Sequence, residues 1–283
     1  MTPELFHQVE SHGGAVDLST RAKFRLTGTD RVRYLNGQVT NDVRAARLNE
    51  ALYACVTDLK GKIVGDIFIH ADSDSLIIDA EADLREVLAP RLERYIIADD
   101  AELSDITEDW HLWHVFGAAS MQAVDGDVQV KCSRLGLPGM DLWQPASSPG
   151  PALSCPVLSA ADFETYRIVR GIPRYPNELH GETFPPEAGL ESTAMSYTKG
   201  CYIGQEVLSR IRTTGKMPRT LIRWTSDQPI CLGDEVLCDD KAVGVITSTA
   251  SHPVSQLTIG LAFVKQGVTG TLRTTSGSSL ARI

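Results

Sequence analysis

Three runs rich in β-branched and apolar residues, Leu52–Thr57, Ile63–His70 and Leu76–Ala80, follow one another with only short breaks between them. The breaks, Leu59-Lys60-Gly61-Lys62 and Ala71-Asp72-Ser73-Asp74, carry turn chemistry. That spacing predicts an antiparallel meander. Around it, Lys23 to Leu26 reads as a short strand. Asp30 to Asn36 reads as a short helix, capped at Thr29 or Asp30 and stopped at Gly37. Asp83 to Tyr95 has helical period interrupted by Pro90, and Leu103–Ile106 and Leu112–Phe116 read as further strands. Met121 opens a stretch without a definite reading. Strands joined by hairpins, with helices interspersed, make the class α+β.

Pro145 to Pro156 holds four prolines and reads as a surface connection. Asp162 to Arg170 reads as a helix ended by Gly171. Tyr175 to Ser192, rich in Pro, Gly and Glu, reads as an ordered loop or a lid. From about Met217 short β-rich runs alternate with Gly and Asp turns: Thr220–Trp224, Glu235–Leu237, Val243–Thr247, Leu257–Phe263 and Thr271–Thr274. They predict a small C-terminal β-barrel or sandwich over 218–283, after an α+β region over 1–217.

The 283 residues carry 27 basic and 36 acidic side chains, a net charge of −9. A chain this acidic is a poor coat for duplex DNA, which needs a positive face. No apolar run is long enough to cross a bilayer. The start, Met1-Thr2-Pro3-Glu4, lacks the character of a secretory signal, so a cytoplasmic protein with reduced thiols is expected. No pair among Cys55, Cys132, Cys155, Cys201, Cys231 and Cys238 has Cys-x-x-Cys spacing, and no Cys/His spacing suits a zinc site.

One run stands apart. Lys199-Gly200-Cys201-Tyr202-Ile203-Gly204-Gln205-Glu206 packs a thiol, an ammonium, an amide and a carboxylate into eight residues, with two glycines bracketing the cysteine. A helix from Gln205 to Ile211 would pair Glu206 with Arg210 at i,i+4 and direct its first N–H groups toward Cys201. Together with Lys199, that arrangement would favour a thiolate. The bland alternative is a small buried cysteine at a tight turn. Between Lys199 and Arg223 there are six cations and one acid, which makes either a solvated face or a grip for an anionic partner.

With Arg210 following it, the Lys-Gly-Cys-Tyr-Ile-Gly-Gln-Glu run resembles the signature of the bacterial YgfZ family. Tyr34–Val43, Tyr166–Tyr175, Pro186–Glu191 and Ile259–Val264 resemble further stretches of that family, so the likeness spans almost the whole chain. The family's proteins are called folate-binding and are linked to iron–sulfur cluster assembly or repair. They are paralogues of the glycine-cleavage T-protein, a tetrahydrofolate-dependent aminomethyltransferase. The resemblance implies two α+β lobes and a small barrel around a central channel that holds tetrahydrofolate. It implies Asn36, Gln38, Asp66 and Arg212 as folate-side residues, Asp66 and Cys201 as the chemically active groups, and iron–sulfur client or assembly proteins as partners. Val169 stands where the family usually carries a glutamate, so the pteridine contact made by that acid would need another acceptor. Aminomethyl transfer, and anion or RNA binding without catalysis, are the alternative functions.

Overall fold

The computed structural model describes residues 1–121 and 128–283. The chain begins with α1 (Pro3–His12) and β1 (Gly14–Asp17), then runs through β2 (Ala22–Thr27), α2 (Arg31–Gln38), β3 (Leu52–Thr57), β4 (Ile63–Ala71), β5 (Leu76–Ala80), α3 (Arg85–Glu93) and β6 (Glu102–Asp105). β7 (Trp110–Phe116), β8 (Val128–Lys131), β9 (Gly139–Pro145), β10 (Val157–Leu158), α4 (Ala160–Arg170), α5 (Glu191–Ala194) and α6 (Gln205–Thr214) follow. The last elements are β11 (Arg219–Ser226), β12 (Glu235–Cys238), β13 (Lys241–Ser251), β14 (Thr258–Lys265), β15 (Leu272–Thr274) and β16 (Ser279–Arg282).

These strands form an α+β molecule of three units. The first lobe is an antiparallel sheet in the order β3-β4-β5-β2-β6. The second is a sheet ordered β10-β1-β7-β9-β8, antiparallel except where β1 meets β10. The third is a closed barrel, β11-β14-β13-β12-β15-β16, which pairing of β11 with β16 completes. Because β1 pairs with β7 and β10, the N-terminus starts in the second lobe and crosses into the first.

The meander is present as β3, β4 and β5, and the strand at Lys23–Leu26 is β2. α4 matches its expected span: Ser159 Oγ accepts from the Asp162 amide at 3.1 Å, and Gly171 ends the helix at φ 75°. Several expectations need correction. α2 continues through Gly37 to Gln38, because the stop comes from the extended Val39 instead. Of the two alternatives for 175–192, the segment is the ordered loop and not the lid. It holds a 3₁₀ turn, Pro185–Ala188, and buries Glu178, Leu179, Thr183 and Glu187 to 1% exposure or less. α1, β1, β8, β9, β10 and β16 have no counterpart in the pattern read from the sequence. The less definite stretch after Met121 includes 122–127, which lie outside the described residues.

The two faces of the first-lobe sheet differ. Phe24, Leu26, Ile67, Ile69 and Ile78 point into a core with Leu35 of α2 and Leu88 of α3, all fully buried. Each such side chain contributes roughly 1.5–3 kcal/mol. Alternate positions, Lys23 and Arg25, Asp66 and His70, and Asp79, must then face the second lobe. A polar layer therefore lies between the lobes, and the candidate site is built into it.

Candidate functional site between the lobes

A cavity of about 370 Å³ opens between the lobes, within the size range of small-molecule sites. Asp66 on β4 lies on its wall, 7% exposed. Tyr53 Oη donates to Asp66 Oδ2 at 3.0 Å, and the Tyr53 ring stacks on Phe68 with centroids 4.6 Å apart. Oδ1 is buried and has no hydrogen-bond partner among the described residues. Burial pushes the carboxyl up to about 6, against the pull of nearby Arg21.

The rest of the wall is a chain of alternating charges. Arg134 forks onto two carboxylates from different sheets: Asp79 of β5 at 3.0 and 2.8 Å, and Asp141 of β9 at 3.0 and 2.7 Å. Its guanidinium also lies over the Phe68 ring, 4.1 Å from the centroid. Arg21 Nε donates to Asp79 at 2.6 Å and Nη1 donates to Glu81. Arg174 donates to Glu81 at 2.7 Å and to Glu164 at 3.3 Å. Arg167 joins Glu164 to Glu178 and donates to Ser248 Oγ in the barrel at 2.8 Å. Although burial opposes ionisation, Arg134 holds Asp141 far below the usual carboxylate range, and Arg21 and Arg174 hold Glu81 below it.

Three buried polar atoms of this lining have no hydrogen-bond partner among the described residues: Asp66 Oδ1, Arg21 Nη2 and Arg174 Nε. Left unmade, each such bond costs about 1–3 kcal/mol. One acceptor and two donors around a single cavity fit a heteroaromatic ligand that carries both N–H groups and acceptors, as a pteridine does.

The remaining expected residues lie elsewhere. Asn36 Oδ1 accepts from the Val43 amide at 2.9 Å, Gln38 accepts from Arg91 at 3.0 Å, and the Arg212 guanidinium sits 3.9 Å from the Tyr197 ring centroid. None of the three lines the cavity. Nor does Val169, whose side chain packs with Phe6, Val9, Phe116 and Ile259. The acid carboxylates of the cavity are Asp66 and Glu81 instead, so the valine does not remove an acceptor from it.

The cysteine run is also outside the cavity lining. Cys201 is exposed. Lys199 does not serve it: its ammonium donates to the carbonyls of Asn36, Val39 and Asn41 at 2.5, 2.7 and 2.7 Å, tying this loop to the end of α2. Burial pulls the Lys199 ammonium down to about 7. Tyr202 is buried with Met195, Leu208 and Ile211. Glu206 and Arg210 form an exposed pair at 3.7 Å that adds little to stability. The basic stretch makes no single face either, since Arg219 donates to Thr183 and Arg223 to the Val169 carbonyl.

Gly204 is the glycine this loop requires, with φ 86° and a Cβ that would meet Asp58 O at 2.6 Å and Gly61 Cα at 2.8 Å. Gly200 has open space. Gly204→Ala is therefore expected to destabilise the protein by about 1–3 kcal/mol, with Gly200→Ala near neutral. Urea unfolding of the two variants checks this, and equal midpoints would refute it.

Sequence reasoning had Asp66 but not Tyr53, Arg21, Glu81, Arg134 or Arg174. Tyr53 is an ordinary strand residue, and Arg21, Glu81, Arg134 and Arg174 lie outside the strands, so strand alternation carried no signal for them.

Residues 4–144 match the family model described as the GCVT N-terminal domain. An aminomethyltransferase of Rubrobacter xylanophilus is 28% identical over 90% of this chain and 77% of its own length. The tRNA-modifying protein YgfZ of Vibrio vulnificus is 28% identical over 77% of this chain and 72% of its own. An iron–sulfur cluster assembly factor IBA57 homolog of Neurospora crassa is 23% identical over 76% of this chain, which spans 54% of that relative. The crystal structure of glycine cleavage system aminomethyltransferase T from Bartonella henselae superposes with a TM-score of 0.80 at 14% identity, over 95% of this chain and 84% of that one. Domain match, relatives and fold agree: residues 4–144 are a GCVT N-terminal domain, and the chain as a whole is similar to aminomethyltransferases, YgfZ and IBA57 alike.

Proposed function

We propose that this protein supports the assembly or repair of iron–sulfur enzymes and holds a tetrahydrofolate-type ligand in the interlobe cavity. The observation that carries the ligand half is the trio of buried, unpartnered atoms, Asp66 Oδ1, Arg21 Nη2 and Arg174 Nε, on residues that line one cavity. Asp66 is the acceptor for a ligand N–H group, and Arg21 and Arg174, which Glu81 holds in place, are the donors. Tyr53 fixes the Asp66 carboxylate so that Oδ1 stays free for the ligand. When bound, tetrahydrofolate supplies nitrogens that carry a one-carbon unit. The assembly half draws on the names of the IBA57 and YgfZ relatives and on the exposure of Cys201. Among the described residues no three His, Cys, Asp or Glu gather as a metal set, so Cys201 acts with groups from a client or assembly partner.

Calorimetry with tetrahydrofolate tests the ligand half. Wild type is expected to bind, and Asp66→Asn to bind at least about tenfold more weakly, the loss of one charge-assisted hydrogen bond. Equal affinities would remove Asp66 from the site. Complementation of a strain lacking its own YgfZ tests the other half. Cys201→Ala restoring cluster-enzyme activity as well as wild type would sink the thiol role. One observation favours aminomethyl transfer as a second reading: a cavity carboxyl poised near 6 suits proton movement. Formation of methylene-tetrahydrofolate from an aminomethyl donor would establish that reading.

A further inference from the structure

The polar face of the first-lobe sheet carries a second cavity. β4 places Asp66 and Phe68 on the main cavity, and His70, two residues further along the same face, on another of about 190 Å³. The row formed by Lys23, Phe68 and Asp79, with Arg134 bound to it, stands between them. The second cavity has apolar and aromatic walls, chiefly Ile77, Ile106, Trp110 and Trp143. His70 and Trp143 lie with ring centroids 5.2 Å apart.

Two donors in these walls have no hydrogen-bond partner among the described residues: Trp143 Nε1, on a residue 3% exposed, and Arg25 Nε. Buried indole and guanidinium N–H groups ordinarily find acceptors. Asp72, the carboxylate at this cavity, is turned to its own loop, accepting from the Ser73 amide at 2.8 Å and Ser75 Oγ at 3.4 Å. Both donors thus lack an acceptor, and both belong to residues that line one small, largely apolar cavity.

We propose that this cavity is a second binding site, separate from the main one, for a small aromatic monocarboxylic acid, with its carboxylate on Arg25 and Trp143 and its ring among Ile77, Ile106 and Trp110. The site does not depend on the folate reading, because the two cavities share no lining residue.

The probes are benzoate and phenylacetate, with benzamide as the uncharged control. Titration of ¹⁵N-labelled protein is expected to move the Trp143 indole N–H resonance saturably, with half-saturation below about 1 mM. By calorimetry, Arg25→Met and Trp143→Phe are each expected to weaken binding about tenfold or more, as loss of a donor to a charged acceptor does. Arg25→Gln supplies the same comparison should either variant fail to fold. Asp66→Asn is expected to leave probe binding unchanged. The proposal is overturned by an unmoved Trp143 resonance, by an equal response to benzamide, by binding that never saturates, or by loss of binding in Asp66→Asn, which would assign the probe to the main cavity.

Discussion

Arg134→Met is expected to lower the unfolding free energy by about 3–5 kcal/mol, the cost of stripping one partner from a buried ion network. Arg134 is 8% exposed and gives bidentate hydrogen bonds to Asp79 in the first lobe and Asp141 in the second. Removing it leaves two carboxylates, 3% and 1% exposed, facing each other without their shared cation. Arg21 still holds Asp79 and His114 still holds Asp141, at 2.6 and 2.8 Å, so the loss falls on the junction between lobes and not on either sheet. Arg134→Lys keeps the charge but not the fork that fits two carboxylates, and is expected to fall between Met and wild type. Urea unfolding followed by circular dichroism measures all three proteins. A loss under about 1 kcal/mol for the methionine variant would show that the network does not join the lobes.

The second large effect is on pH dependence. The Asp66 carboxyl stands at about 6 in the folded protein, above the ordinary aspartate value of 3.8. Between those values the folded state holds a proton that the unfolded chain has released, so stability falls as pH rises through this window. The contribution is complete below about 4 and gone above about 6. Two pKa units correspond to roughly 3 kcal/mol. Asp66→Asn, which stays neutral at every pH, is expected to match wild type near pH 4 and to exceed it by about that amount at pH 7. A difference between the two proteins that does not change from pH 4 to 7 would contradict the raised value. For a ligand that donates to Asp66 the sign reverses: binding favours the ionised carboxylate, so wild-type affinity should rise through pH 6 while the variant's stays flat.

Asp66 and Val169 show how far the chain could be read before it was folded. Asp66 was legible because an acid inside a strand run is unusual and because the family's pattern places one there. Its working partner, Tyr53, lies on the neighbouring strand of the meander, and nothing in the local pattern says that their side chains meet. Val169 read as a lost folate contact. Packing turns that side chain toward Phe6, Val9 and Ile259, where Val169→Glu would bury an acid instead of restoring a contact. Lys199 misled in a similar way. Adjacent to Cys201 in sequence, it looked like a thiol's cation, yet its ammonium is spent on three carbonyls of the first lobe.

The elements that could be assigned from local pattern were those whose signals are local. The meander has its turn residues, α4 has Ser159 and Gly171 at its ends, and most barrel strands have glycine and aspartate breaks. Period and capping act within a few residues, and so they survive without knowledge of the partner. The cavities were decided by tertiary structure alone. Strands β2, β4 and β5 are buried on both faces, one by helices and one by the second lobe, so their charged positions gave no sign of facing inward. Only when β9 and the Arg134 loop close against that face do Asp66, Arg21 and Arg174 converge. Their convergence depends on pairings between residues far apart along the chain, which the one-dimensional pattern does not encode.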